Sequence, residues 1–427
     1  MEAYGQILLI AMPAFFLLIM VEKFYGISKG NDTVPLNDMI SSLSSGITNA
    51  TKDVLGLSIA IISYGWLVDR VAVFNINAGW ITFAIAFIVL DFAGYWVHRI
   101  SHEYNFFWNN HIIHHSSEEF NLACALRQSI SSVVRIFGFF LLPAAILGVP
   151  QEVIAVVAPL HLFAQFWYHT RHINRLGILE KIIVTPSHHR VHHAINPIYL
   201  DKNYGQIFII WDRIFNTYQE ELDEVPAVYG VTRPVHTWNP IKINFMHLWL
   251  LIKDAWRAQN FKDKFRIWFM PLGWRPADVA AKYPVEKIDD VYHFEKYNPK
   301  LSSGLLTWSI IQLMILLLMI SYLFGNIAEI GAPGMFVYGG YVFLAVYAMT
   351  ELMDKNPQAW FYEVLKSGFG IFVVLITGDW FYLSQKIPNL FPVLIGYFML
   401  SAGASAWFSI KENKLEISPR RSTIKIS

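Results

Sequence analysis

Long apolar runs separated by polar stretches set the pattern of this chain. Windows near membrane-spanning length occupy residues 6–22, 54–69, 78–97, 133–149, 152–169, 304–325, 334–353, 367–384 and 388–408. Each approaches the roughly 20 residues that carry a helix across a bilayer. The pattern predicts an all-α fold: a polytopic membrane helical bundle of about nine transmembrane spans with a histidine-rich cap on one side. The second and eighth windows are short, which leaves room for a re-entrant or tilted course. Pro13, Pro143 and Pro159 fall inside windows, where membrane helices tolerate proline better than soluble ones do. Ile7 to Val21 has no basic stretch before it and no small-residue cleavage site, so it reads as a retained first span rather than a signal peptide.

Composition agrees with a membrane protein: 55% of residues are hydrophobic and only 15% are charged. The net charge of +1 shows no basic excess of the kind a nucleic-acid partner requires. Charge placement says more than the total. A nine-span topology leaves 31 of the 33 Lys and Arg on one side and only Arg70 and Lys386 on the other. The positive-inside rule then puts the N-terminus outside and the C-terminus and histidines in the cytoplasm. Either a bacterial inner membrane or the endoplasmic reticulum fits that orientation. The single cysteine, Cys124, excludes an intrachain disulfide and reads as packing.

The chemistry is carried by histidine spacing. His98 and His102 are four residues apart, His111, His114 and His115 form an HxxHH group, and His189, His192 and His193 form a second. Positions i, i+3 and i+4 share a helix face, so each group can aim several imidazoles at one point. Gln165 and His169 repeat the i, i+4 spacing at the end of the fifth window. The eight grouped histidines and His169 are candidate ligands for two metal ions. An all-nitrogen set without cysteine argues against a structural zinc and fits a di-iron centre best. His236, His247 and His293 read as polar caps, and His161, His172 and His188 as neighbours of the site. Asp91, Tyr95 and His98 lie on one helical stripe, and a carboxylate at membrane depth is expected to orient a ligand imidazole. Glu103 reads as a second acidic group of the site, a cofactor contact or a solvated carboxylate. Arg127 and Gln128 fit contacts to a polar cofactor or lipid headgroup, or interfacial anchors. The last four spans contain no histidine, which places the chemistry in the first 220 residues. A haem protein or metal transporter is the remote alternative, because here the histidines gather at span ends on one side.

Three motifs give a resemblance. The run Asp91 to Arg99, the two HxxHH groups, and Asn203-Tyr204-Gly205 followed by Trp211-Asp212-Arg213 resemble the fatty acid hydroxylase and sterol desaturase superfamily of membrane di-iron oxygenases. The likeness covers about residues 80 to 220. Asn216 stands where that superfamily commonly has Gly. His102-Glu103, the run His114 to Glu119, the run Asn121 to Ser129 and the run Thr185 to His193 are most similar to its alkylglycerol-cleaving, tetrahydrobiopterin-dependent branch. The resemblance extends to Tyr229 to Pro234, Asn239 to Lys242, Gly273-Trp274 and the C-terminal spans.

The resemblance implies two non-haem irons, O2 as co-substrate and tetrahydrobiopterin as reductant. It also implies hydroxylation of the carbon beside the ether oxygen of an alkylglycerol, giving a hemiacetal that collapses to a fatty aldehyde and glycerol. The alternative within the superfamily is the same chemistry on a sterol, carotenoid or fatty acyl chain with another electron donor. The implied partners are the lipid and the bilayer, and the oligomeric state stays open. On this reading residues 1–77 hold the N-terminal spans and 78–220 the catalytic region. Residues 221–303 form an amphipathic segment, in which Ile241 to Trp256 and Phe265 to Trp274 mix aromatic residues with lysine like headgroup-layer helices. They suit a lipid entrance and a self-packed cap equally. Residues 304–427 form the C-terminal bundle and a basic tail.

Overall fold

The computed structural model describes residues 2–60, 63–135 and 137–417; the basic tail after Ile417 lies outside them. Ten helices that build the bundle and the site are α1 Glu2–Ser28, α2 Leu36–Val54, α3 Trp80–Glu103, α4 Gln151–Phe163, α5 Pro186–His192, α6 Pro240–Arg257, α7 Ser303–Gly325, α8 Gly334–Met353, α9 Ala359–Thr377 and α10 Leu390–Ile417. Among the described residues, the one sheet is a parallel pairing of Ile59–Ala60 with Val134–Arg135.

Among the described residues, six helices, α1, α3, α7, α8, α9 and α10, are long and apolar enough to cross a membrane. The chain is a helical multi-pass membrane protein, and of the nine expected spans these six are found as such helices among the described residues. The window 54–69 breaks where α2 ends and Gly56 turns at positive φ, and Ser63 then caps a new short helix, Tyr64–Val71. The window 133–149 contains Pro143 and a left-handed Gly148, and yields only short helical pieces. The window 152–169 becomes the 13-residue α4. Apolar content alone does not separate a crossing from a segment packed against one.

Helix α2 is the opposite case, since its serine- and threonine-rich sequence reads as a polar loop. Several of its hydroxyls are paired, Thr48 to the Ser45 carbonyl, Thr51 to the Ile47 carbonyl and Ser41 to the Trp238 carbonyl. Small hydroxylic side chains let neighbouring backbones approach, and Met39, Ile40, Leu43 and Ile47 pack into the core shared with α1, α7 and α8. The helix runs antiparallel to α8. Ser41 lies by Trp238, whose N–H donates to Asp354 at the end of α8, and Leu55 lies against Gly339 near its start.

Buried carboxylates latch the cap to the bundle. Glu22 on α1 accepts from Thr170 Oγ1 at 2.6 Å and the Leu122 N–H at 2.7 Å. Asp354 accepts from Trp238 N–H at 2.7 Å and Tyr297 O–H at 2.9 Å, and Glu351 pairs with Lys242 and Asn239. These ties hold the C-terminal end of α1 to the segments beside His169 and Leu122, and that of α8 to the start of α6 and to Tyr297.

Candidate metal centre

Helix α3 presents Asp91, Tyr95, His98 and His102 on one buried stripe and ends where Tyr104 turns extended. The first HxxHH group follows in the loop and the turn Ile112–His115. The second sits on α5, which Thr185 and His188 start as a reciprocal capping pair with Pro186 in the first turn. His188 is thereby used for the cap, so its neighbour His189 faces the centre.

All nine predicted histidines converge, in two groups. His98, His102, His111, His115 and His192 form one, and His114, His169, His189 and His193 the other; within each, the donor atoms lie within 4.8 Å of one another. Each HxxHH group divides between them, His111 and His115 against His114, and His192 against His189 and His193. His161, His172, His188, His236, His247 and His293 belong to neither. They bond Asp91, Thr33, Thr185, Glu286, the Asn105 carbonyl and Asp290 respectively.

Backbone carbonyls fix the rings. Nδ1–H of His98 donates to the Tyr204 carbonyl at 2.8 Å and that of His192 to Lys202 at 3.0 Å. Those of His114 and His169 donate to Arg127 at 3.3 Å and Gln165 at 3.0 Å. A neutral imidazole protonated at Nδ1 carries a bare lone pair at Nε2. Yet His169 Nε2 faces His114 Nε2 at 3.4 Å, both lone pairs by this assignment. His98 Nε2 lies 2.9 Å from His111 Nε2, and His192 Nε2 lies 3.1 Å from His115 Nε2. His102 Nε2 and His189 Nδ1 are buried with no partner. Facing lone pairs repel, and a cation between them converts repulsion into coordination; nitrogens on one metal at about 2.1 Å stand about 3.0 Å apart at a right angle. The donor set therefore fits metal ions. Burial pushes the His114 imidazole down to about 4 and the other cap histidines of the groups well below the usual range, neighbouring imidazoles adding to the effect. Neutral rings are the form that ligates.

The four other candidate residues lie in different surroundings. Asp91 reaches none of the nine rings. It accepts from His161 Nε2 at 2.8 Å, the Ile207 and Phe208 N–H groups at 2.8 and 3.0 Å, and Trp211 Nε1 at 2.8 Å. The carboxylate thus pins the loop whose Tyr204 carbonyl orients His98. Asp212 pins the same loop from the other side, accepting the Tyr204 and Gly205 N–H groups at 2.7 Å each; a Cβ on Gly205 would stand 2.8 Å from that carboxylate. Asn216 takes φ 57, the left-handed turn that asparagine tolerates. Glu103 pairs with Arg99 Nε at 2.7 Å, partly in solvent, rather than with a histidine.

Arg127 is fully buried and bonds Asp38 at 2.6 Å, Ser42 at 2.9 Å and Ser116 at 2.8 Å, while its carbonyl serves His114. Arg127→Met would leave Asp38 as an uncompensated buried charge. The expected cost is about 3–5 kcal/mol, read as a lowered Tm in detergent and partly restored by adding Asp38→Asn. Gln128 lies on the wall of a cavity described next. Lys202 and Tyr204 were invisible as site residues because they act through backbone carbonyls. Asp38 sits in the serine-rich stretch and had no spacing signal.

A cavity of about 320 Å³ opens from the histidines into the bundle. His98, His111, His114, His169 and His189 close one end, and Leu8, Met12, Phe15, Leu43, Ile47 and Leu317 line its length. The profile of the fatty acid hydroxylase family matches residues 83–217, which contain all nine histidines. An alkylglycerol monooxygenase of Homo sapiens is 36% identical over 384 residues, 89% of this chain and 84% of that protein. Those of Xenopus tropicalis and Danio rerio are each 32% identical, over 92% and 90% of this chain and 86% and 85% of theirs. The chain belongs to the alkylglycerol monooxygenase family. It is accordingly an oxidoreductase of the fatty acid hydroxylase superfamily, a lipid monooxygenase. Much of the cavity wall comes from α1, α2 and α7, outside the matched profile. No solved structure matches the chain.

Proposed function

We propose that the protein oxygenates an alkylglycerol at the carbon beside its ether oxygen, releasing a fatty aldehyde and a glycerol derivative. The observation that carries this reading is the cavity: an apolar slot suited to an alkyl chain, closed at one end by histidines. Two irons, held by the five- and four-histidine groups, would supply the oxygen activation that an unreactive C–H bond demands. The chain's own residues do the rest. Apolar side chains of α1, α2 and α7 take the alkyl tail and exclude water from the histidine end. The carbonyls of Arg127, Gln165, Lys202 and Tyr204 hold four rings in register. Asp91 acts as a positioning residue through the loop it pins, and Gln128 on the cavity wall contacts the lipid. Tetrahydrobiopterin enters this reading as a diffusing reductant, consumed with O2.

We further infer that the cap faces the cytoplasm. Arg70 and Lys386 belong to the ends of the bundle remote from the histidines, and most other Lys and Arg lie in or beside the cap, as the positive-inside rule requires.

The test is aldehyde release by the purified protein, loaded with ferrous iron, from hexadecylglycerol in air with and without tetrahydrobiopterin. Pterin-dependent hexadecanal is the expected result. A protein that holds two irons yet releases no aldehyde with pterin present would act on another lipid, and the proposed substrate would be wrong.

A further inference from the structure

The cavity is not uniformly apolar: at its histidine end the wall carries the amides of Gln165 and Gln206. Each follows from the machinery that aims a ring, since the Gln165 carbonyl holds His169 and Gln206 lies two residues beyond Tyr204. Their side chains are held by separate devices. The Gln165 amide is held at both ends: Nε2 donates to Nδ1 and to the carbonyl of His161 at 3.2 Å each, with His161 fixed by Asp91 at 2.8 Å, and Oε1 accepts from Tyr168 O–H at 3.4 Å. Gln206 seats its amide over Gly94 of α3, where a Cβ would come within 2.0 Å of its oxygen. The two amides meet at 3.5 Å, a weak contact that leaves most of the Gln206 hydrogen-bonding capacity without a protein partner among the described residues. A pre-aimed, under-satisfied amide on the wall of an apolar cavity is a recognition group for a polar ligand atom.

We propose that Gln206, backed by the fixed Gln165 amide, forms a polar grip that bonds the ether oxygen and adjoining hydroxyl of the lipid, setting which carbon lies beside the histidines. This rests on the alkylglycerol reading above. The alkyl tail alone can slide along an apolar slot, because one methylene resembles the next. A polar anchor at the histidine end fixes the register. The grip also explains why a buried Asp–His pair is spent on a residue that is itself no ligand in either histidine group.

The experiment compares hexadecylglycerol with hexadecyl ethyl ether, which keeps the ether and tail but lacks hydroxyls. Gln165→Leu, Gln206→Leu and Gly94→Ala, the last displacing the Gln206 amide, are prepared with ferrous iron. The expected result is retention of two irons per chain, with kcat/KM for hexadecylglycerol reduced about tenfold to hundredfold relative to the ethyl ether. The dissociation constant of hexadecylglycerol should rise in parallel. Iron-retaining variants whose preference and binding are unchanged overturn the grip, as does loss of iron in all three, which would make the amides part of the metal scaffold. If the unsubstituted protein releases no aldehyde, the oxygenation reading fails by itself, and the binding comparison still decides the grip.

Discussion

Replacing His114 with alanine is expected to abolish aldehyde release and remove about one of two irons per chain while leaving the protein folded in the membrane. The argument is donor counting. His114 belongs to the group of four, and its ring also stands on the cavity wall. Without it three imidazoles remain, and the site loses both affinity and the ring beside the substrate. Loss of an outer partner of a ligand already costs about 10- to 100-fold in affinity or activity, so loss of a ligand should exceed that. His102 offers the contrast. It lies in the five-histidine group, and His102→Ala leaves four donors, so a smaller loss of iron is expected. Metal analysis of both variants, with single-turnover aldehyde yield, decides the matter. Two irons and wild-type turnover in His114→Ala would sink the assignment. Equal iron loss in the two variants would mean that the ligand division is not the five-and-four division of the structure.

The nine rings were legible in the sequence because i, i+3 and i+4 spacing leaves few alternatives to convergence. Their division into groups was not legible. Adjacent residues on a helix point about 100° apart, so His114 and His115, or His192 and His193, separate toward different groups once neighbouring elements supply the partners. Spacing within one segment carries no information about the loop Lys202 to Tyr204 that orients rings from both ends of the chain's catalytic stretch. Asp91 was legible as a buried acid with work to do, and its partner was not, since Ile207, Phe208 and Trp211 lie more than a hundred residues downstream. The spans show the same limit. Hydropathy marks residues that avoid water, and both the short helical pieces before Gly148 and the long apolar helices avoid it. Helix α2 is missed for the converse reason: its hydroxyls look hydrophilic until Ser41, Thr48 and Thr51 are seen paired inside the bundle.

Asp91→Ala should be the most damaging substitution outside the histidines. Four donors converge on this fully buried carboxylate, and alanine leaves all of them without an acceptor in an apolar interior. At about 1–3 kcal/mol for each stranded group, the sum rivals the roughly 5–15 kcal/mol by which a folded protein is stable. The damage propagates along the loop. With Ile207 and Phe208 released, the Tyr204 carbonyl loses its fixed position, His98 loses the acceptor for Nδ1–H, and the five-histidine group opens. Low iron content and a broad, lowered melting transition are therefore expected together. Asp91→Asn is no remedy, because one face of the amide turns donors toward donors. Trp211→Phe, which removes a single donor to the carboxylate, should cost only about 1.5–3 kcal/mol and keep both irons. A graded series, with Trp211→Phe mild, Asp91→Asn intermediate and Asp91→Ala severe, identifies the carboxylate as the pin of the loop. An Asp91→Ala protein that melts like the parent and binds two irons would show instead that Asp212 holds the loop unaided.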